Sequence, residues 1–423
     1  MMTNVQKIKG FLASGCFLIA LQVHAEPNLS LADAIELATQ SQPLLQSLDD
    51  AANANRQAAI AESQLPDPKL KFGVINLPVT TRNALSFSRD DQTMVNIGYS
   101  QEMVPLKKRE LASDRLTAMA DEFHSEQIAT SRAIERDVAL AWLDVYEAQR
   151  RSELYQRIIA EMTAERHVLA ASVSSGGVKT SDVLRMDTEI SMTNEKYILA
   201  VRDEQKARAL LARWIGQAAG RPIASELPVM TNNFSTKNTA AEIEKHPLIL
   251  NAYQIEKVAQ FDVESAKANL QHNWGWEVGY GKRFADRSDM LSFQVSIDLQ
   301  LDKANRQDRR TAEKLVLVQK AQKLIEDKRR ELLAYLDSAL ADAQSADARE
   351  KIHLNNLIPN ANARLAIAQA GYSAGKNPLL DVWDARRGII EIELDHWIIL
   401  TDKQRAAVKI GYLLNDTRLF KPN

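Results

Sequence analysis

Two aspartates, Asp381 and Asp384, have the type and spacing to do chemistry in this 423-residue chain. They follow the turn at Gly375, stand three residues apart and share one face of the helix that begins there. Carboxylates so placed attract cations. Acids in a first helical turn also complement the helix dipole and cap free N–H groups, a reading open to Asp381 and equally to Asp182, after Gly176-Gly177. Other candidate ligands form no set: His124, His167, His246, His272, His353 and His396 are scattered singly, without metal-ligand spacing. There is no Gly-x-Ser-x-Gly, P-loop, HExxH or dinucleotide fingerprint. No catalytic residue, cofactor or resident metal is therefore expected, and the chain does not read as an enzyme.

The first residues set the compartment in which these acids act. Lys7 and Lys9 precede an apolar stretch over 11–21 and then Val23-His24-Ala25, a small-x-small site. Residues 1–25 read as a secretory signal peptide, cut after Ala25 so that the mature chain starts at Glu26, and too short for a transmembrane helix. Cys16 lacks the Leu that a lipoprotein signal carries three residues earlier, so lipidation is the lesser reading. Cleavage removes the only cysteine and two lysines, which takes the formal net charge from −2 to −4. No basic field points to nucleic acid, and no disulfide or thiolate chemistry remains. Beyond the signal no stretch approaches the ~20 apolar residues of a membrane helix, so any membrane crossing must use strands.

The elements that carry the acids are written twice. Gln42-Pro43-Leu44-Leu45 returns as His246-Pro247-Leu248-Ile249, and the strand-like run 94–103 returns as 290–299. Val173-x-x-Gly176 with Ser181-Asp182-Val183-Leu184 returns as Tyr372-x-x-Gly375 with Leu380-Asp381-Val382-Trp383. The expected organisation is a first repeat over 26–215, with a β-hairpin at 68–103 and a coiled coil at 106–215. A Gly/Pro/Asn-rich linker at 216–238 leads to a second repeat over 239–415, with a hairpin at 273–301, a coiled coil at 304–415 and a tail at 416–423. Residues 106–175 contain neither Pro nor Gly, and apolar residues step by four and three from Ile134 to Val173 and again from Val183 to Trp214. That is the seam of an antiparallel helix pair, in a rod on the order of 100 Å long. A second seam runs through Leu336, Leu340, Ala343, Leu354, Leu357 and Ala361, then from Val382 to Leu413, with Pro359 predicted to kink its first helix.

Between these helices the period falls to two. Leu291, Phe293, Val295, Ile297, Leu299 and Leu301 alternate with polar residues, and Trp274, Trp276, Val278 and Tyr280 alternate with Gly and Glu. Leu70, Phe72, Val74, Val95, Ile97 and Tyr99 do the same in the first copy. Strands of about ten residues with one apolar face fit a membrane barrel wall, with Trp274, Trp276, Leu291, Phe293 and Ile297 facing lipid. Four strands cannot close a barrel, and open edges are not tolerated in lipid, so several copies must combine.

From Leu29-Ser30-Leu31-Ala32-Asp33-Ala34 to about Leu414 the chain resembles the TolC family of outer-membrane factors. The duplicated plan and Tyr372-x-x-Gly375-x5-Asp381-Val382-Trp383-Asp384 carry the likeness. The resemblance implies a mainly α fold with a membrane β-barrel: a homotrimer whose four-stranded contributions form one twelve-stranded shared barrel above a trimeric α-helical tunnel. It also implies an outer-membrane location with a long periplasmic extension, and partners in a periplasmic adaptor protein and an inner-membrane pump of the RND type. Carried onto this sequence, Asp381 and Asp384 match the periplasmic aperture, as two stacked carboxylate rings. Asp182 and Tyr372 match residues that link neighbouring coils to keep it shut, and Asn377 stands where relatives add an Arg. The turn tips Gly176, Gly177, Gly375 and Lys376 are where an adaptor docks, and they depart from the Val-Gly-Leu of many relatives. Leu65-Pro66-Asp67-Pro68-Lys69-Leu70, Asn76-Leu77-Pro78-Val79 and residues 87–94 resemble members paired with heavy-metal efflux pumps, which implies metal-cation cargo. Drug efflux and type I secretion stay open, and a periplasmic coiled-coil adaptor is the reading of another class.

Overall fold

The computed structural model describes residues 28–40, 42–174, 179–228 and 239–416. The expected signal segment with Cys16, the tip Gly176-Gly177, linker residues 229–238 and the tail from 417 lie outside the described residues. The first repeat runs α1 (Leu31–Gln40), α2 (Pro43–Glu62), β1 (Lys69–Ile75), β2 (Met94–Met103), α3 (Leu106–Ser174) and α4 (Thr180–Ile215). The second runs α5 (Thr239–Glu244), α6 (Pro247–Ala268), β3 (Trp274–Arg283), β4 (Met290–Ile297), α7 (Gln307–Ile352), α8 (Ile358–Ser373) and α9 (Leu379–Leu413). The repeated residue-Pro pair marks helix starts. Gln42 and His246 are N-caps, each followed by a proline whose missing N–H falls where a helix has no partner for it.

α3 holds 69 residues, which at 1.5 Å each is about 100 Å. Its first half lies along α2 and α6, where Arg115 meets Asp262 and Asp121 meets Lys257. Its second half pairs with α4 along the expected seam: Ile134, Val138, Val145, Met162 and Leu169 are buried opposite Met186, Ala200, Ala207 and Leu211. Polar seam positions find partners there. Arg166 reaches Asp187 at 2.8 Å, and the Ser152 hydroxyl lies 3.5 Å from Glu204. α3 also carries a second apolar stripe: Leu154 and Ile158 join Met162 and Leu169 against Trp383 and Ile390 of α9.

The main core is a belt around the middle of α3. Trp142 and Tyr146 are fully buried there among Leu29, Ile35, Leu143, Leu211 and Val408, and the Trp142 ring N–H donates to the Leu29 carbonyl at 3.1 Å. The start of the expected linker belongs to this belt. Ala219 and Ile223 are buried, and Ile223 forms a parallel bridge with Leu29.

The second repeat keeps its expected seam through Leu336, with Leu340 and Ala343 half-buried against the same cluster, and departs from it further along α7. In α7 the buried line passes through Leu332, Leu336, Ala339, Ala346 and then His353, whereas Leu354 and Leu357 are exposed. Ala339 is buried one residue ahead of Leu340, and His353 one residue ahead of Leu354. Before Pro359, which cannot donate, residues His353–Leu357 form a π turn in which the Ile358 N–H reaches the His353 carbonyl. The next buried residue, Ala368, falls fifteen positions after His353, one more than two heptads. The proline is thus absorbed by a widened turn.

Candidate functional site

β1 to β4 form one antiparallel sheet in chain order, so the two hairpins join edge to edge through β2 and β3. Register aligns side chains of one kind across all four strands. Leu70, Tyr99, Val278 and Phe293 form one row, and Phe72, Ile97, Tyr280 and Leu291 the next. Trp276 with Val295, and Trp274 with Met103 and Ile297, continue the same face below, where Gln101 is its polar exception. Among the described residues nothing covers this face: Phe72, Leu291 and Phe293 are 72%, 77% and 70% exposed. The five residues assigned to lipid, Trp274, Trp276, Leu291, Phe293 and Ile297, all lie on it.

The opposite face is polar. Lys71 pairs with Glu277 at 2.5 Å, and Asn96, Ser292, Gln294 and Ser296 surround Gly98, Gly275 and Gly279. A Cβ at Gly279 would come within 2.7 Å of the Ser292 hydroxyl, so this face is closed down to the backbone. The expected second hairpin ends sooner than the period suggested: Leu299 and Leu301 lie beyond β4, Leu301 within the turn before α7. β1 and β4 each keep one side without a strand partner. β3 spans ten residues, about 34 Å, which a 45° tilt reduces to about 24 Å, close to the ~25 Å apolar band of a membrane barrel. Among the described residues no helix is long and apolar enough to cross a membrane.

The acidic turn lies beyond the far end of α8. α8 closes in a Schellman motif: Lys376 N–H donates to Gly371 O and Gly375 N–H to Tyr372 O, both at 2.9 Å, with Gly375 at φ +66°. The Tyr372 ring, Gly375 and Lys376 are exposed. Asp182 and Asp381 occupy the same third position of their helices, yet their surroundings differ. The Lys179 N–H donates to the Asp182 carboxylate at 3.3 Å, a helix cap. The N-cap of α9 is Pro378, which has no N–H to give, and Asp381 stands exposed. Asp384, one turn on, lies 3.7 Å from Arg185 of α4 and 3.5 Å from Arg387, which also holds Glu189 at 2.9 Å. The two aspartates therefore differ in charge state of their surroundings, one open and one answered by two guanidiniums.

Asp384 belongs to a ladder that the sequence did not reveal. Glu165 with Arg386 at 3.7 Å and Arg157 with Glu393 at 2.8 Å join α9 to α3 above it. Burial pushes the Glu165 carboxyl up, opposed by Arg386. Trp383 and Ile390 pack between these rungs. No local pattern signals such pairs, because each partner lies on a helix distant in sequence. Among the described residues no three His, Cys, Asp or Glu converge as metal ligands, but His353 and His396 are not solitary: their rings stack 6.1 Å apart.

A duplicated helical rod carrying one two-faced sheet defines the class: this is the fold of outer-membrane channels. Residues 247–410 match the family described as outer membrane efflux protein. The chain superposes on the outer-membrane protein VceC of Vibrio cholerae with a TM-score of 0.73 at 16% identity, over 91% of this chain and 95% of that one. The Campylobacter jejuni CmeC outer-membrane channel gives 0.76 at 10% identity over 97% and 94%. A membrane protein from Pseudomonas aeruginosa gives 0.76 at 17% identity over 91% and 90%. No curated protein sequence matches the chain.

Proposed function

We propose that this chain is the outer-membrane channel subunit of a tripartite efflux system, a passive conduit and not an enzyme. The observation that carries the reading is the sheet: apolar rows aligned over four strands, exposed on one face, with both outer edges open. In lipid each unpaired backbone group costs several kcal/mol, so β1 of one copy pairs with β4 of the next and the sheets close as a barrel. The meander makes that pairing antiparallel all round. Three copies give the twelve-stranded barrel and the helical tunnel, with the aperture at Asp381 and Asp384. Asp182 and Tyr372 serve as contacts between coils, and the tips Gly176, Gly177, Gly375 and Lys376 receive a periplasmic adaptor that hands cargo on from an inner-membrane pump, of the RND type.

Cargo of metal cations is supported by the uncapped, exposed carboxylate of Asp381, since acidic rings favour cations in pores. The duplicated plan leaves the adaptor reading without support. The test is direct. Outer-membrane extracts should yield a band at three times the monomer mass that collapses on boiling, and the purified species should conduct in planar bilayers. A chain that stays monomeric and non-conducting in detergent and lipid would refute the assignment.

A further inference from the structure

The π turn before Pro359 brings two histidines together. His353 opens the turn and is 8% exposed; His396 faces it from α9. Their rings are 6.1 Å apart and inclined by only 21°. The Nδ1 atoms of both are buried and lack a hydrogen-bond partner. A buried imidazole nitrogen without a partner is costly, and here two such nitrogens belong to neighbouring rings on packed helices. With metal–nitrogen bonds of about 2.0–2.1 Å, rings 6.1 Å apart are near enough to share one ion after a small adjustment of the side chains.

Each histidine also has a carboxylate three residues before it: Glu350 on α7 and Glu393 on α9. Glu-x-x-His on two facing helices is a ligand arrangement of helical-bundle metal proteins. At present both acids are turned to cations, Glu350 to Lys403 at 2.7 Å and Glu393 to Arg157 at 2.8 Å, which is why no three ligands converge.

We propose that His353 and His396 form a binding site for a first-row divalent transition cation, with Glu350 or Glu393 and water completing the coordination. Two imidazoles with carboxylate select Zn2+, Cu2+ or Ni2+ over Mg2+ or Ca2+. The ion clamps the π turn to α9 at the place where the α-helical hydrogen-bond ladder is interrupted. This site is independent of the transport reading, because it needs only the fold of one chain.

The experiment uses untagged, chelator-stripped full-length protein in detergent. Zn2+ titration against a chromophoric competitor should give about one high-affinity ion per chain. Asn at His353 or at His396 should weaken it at least about tenfold, within the range that loss of a supporting ligand group produces, while His124→Asn leaves it unchanged. Cu2+ as a probe reads the site without any variant: its EPR spectrum should carry hyperfine splitting from two imidazole nitrogens. No binding above that of the double variant, or a Cu2+ spectrum with one nitrogen or none, overturns the proposal.

Discussion

Arginine at Phe293 tests the wall most sharply. Phe293 lies in the third of five apolar-face rows that β2 and β3 share, level with Leu70, Tyr99 and Val278, hence near the middle of the band. It is 70% exposed in the chain, so packing inside the protomer contributes little to the cost of replacing it. If the face meets lipid, Phe293→Arg costs about 2–4 kcal/mol per protomer, the midplane value for a membrane barrel. Ile297→Arg, at the end row with Trp274, costs about 0–1 kcal/mol, the interfacial value. Ser292→Arg, one residue from Phe293 but on the polar face, adds no lipid penalty. The assay is the urea midpoint of the bilayer-reconstituted trimer together with the yield of the heat-labile band. The expected order of loss is Phe293 well above Ile297, with Ser292 assembling normally. Equal losses at Phe293 and Ser292 would show that the apolar face does not meet hydrocarbon.

Other outcomes follow from the acids, a buried histidine and the N-terminus. Asp381→Asn should reduce cation selectivity, read as reversal potential in a salt gradient, and block by trivalent cations from the periplasmic side. Asp384→Asn should change it less, since Arg185 and Arg387 already answer that charge; the reverse ranking would be fatal to this account of the aperture. His246 is buried against Tyr412, and burial lowers its pKa from 6.5 to about 4. A depressed histidine is neutral in the fold while the unfolded chain takes up the proton, so stability is intact above about pH 6.5 and falls as pH drops toward 4, by about 3 kcal/mol per protomer at most. His246→Asn, which keeps an N-cap acceptor, should flatten that part of the denaturation profile between pH 7 and 4. N-terminal sequencing of envelope-purified protein should read from Glu26; a diacylated Cys16 would be the contrary result.

Elements with a strong local period were legible in the sequence. The alternation of Leu291, Phe293, Val295 and Ile297 gave β4 and its apolar face, and the unbroken run after Leu106 gave α3. The Tyr372-x-x-Gly375 motif gave a turn that the structure resolves as a Schellman cap. What depends on distant neighbours was not legible. The belt residues Ala219 and Ile223 lie in a stretch whose Gly and Pro content reads as a linker, and only Leu29 across the bridge explains their burial. Pro359 announced a disturbance but not its form, because a π turn and a kink both relieve the same missing N–H. The phase of α7 slipped by one residue for a similar reason. Heptad reading favours the leucines, whereas Ala339, Ala346 and His353 carry the buried line. For the acidic turn, position was legible and environment was not: only the packed helices show Arg185 and Arg387 at Asp384.

The proline that starts α9 has a consequence for symmetry. In the threefold assembly proposed above, three turns from each repeat would line the inner rim. Lys179 can spend its N–H on Asp182, whereas Pro378 has none for Asp381. Such a rim would be threefold in available charge. Under the proposed threefold reading, an ion on the axis would meet three equivalent Asp381 carboxylates, while Asp182 is held in its own helix cap.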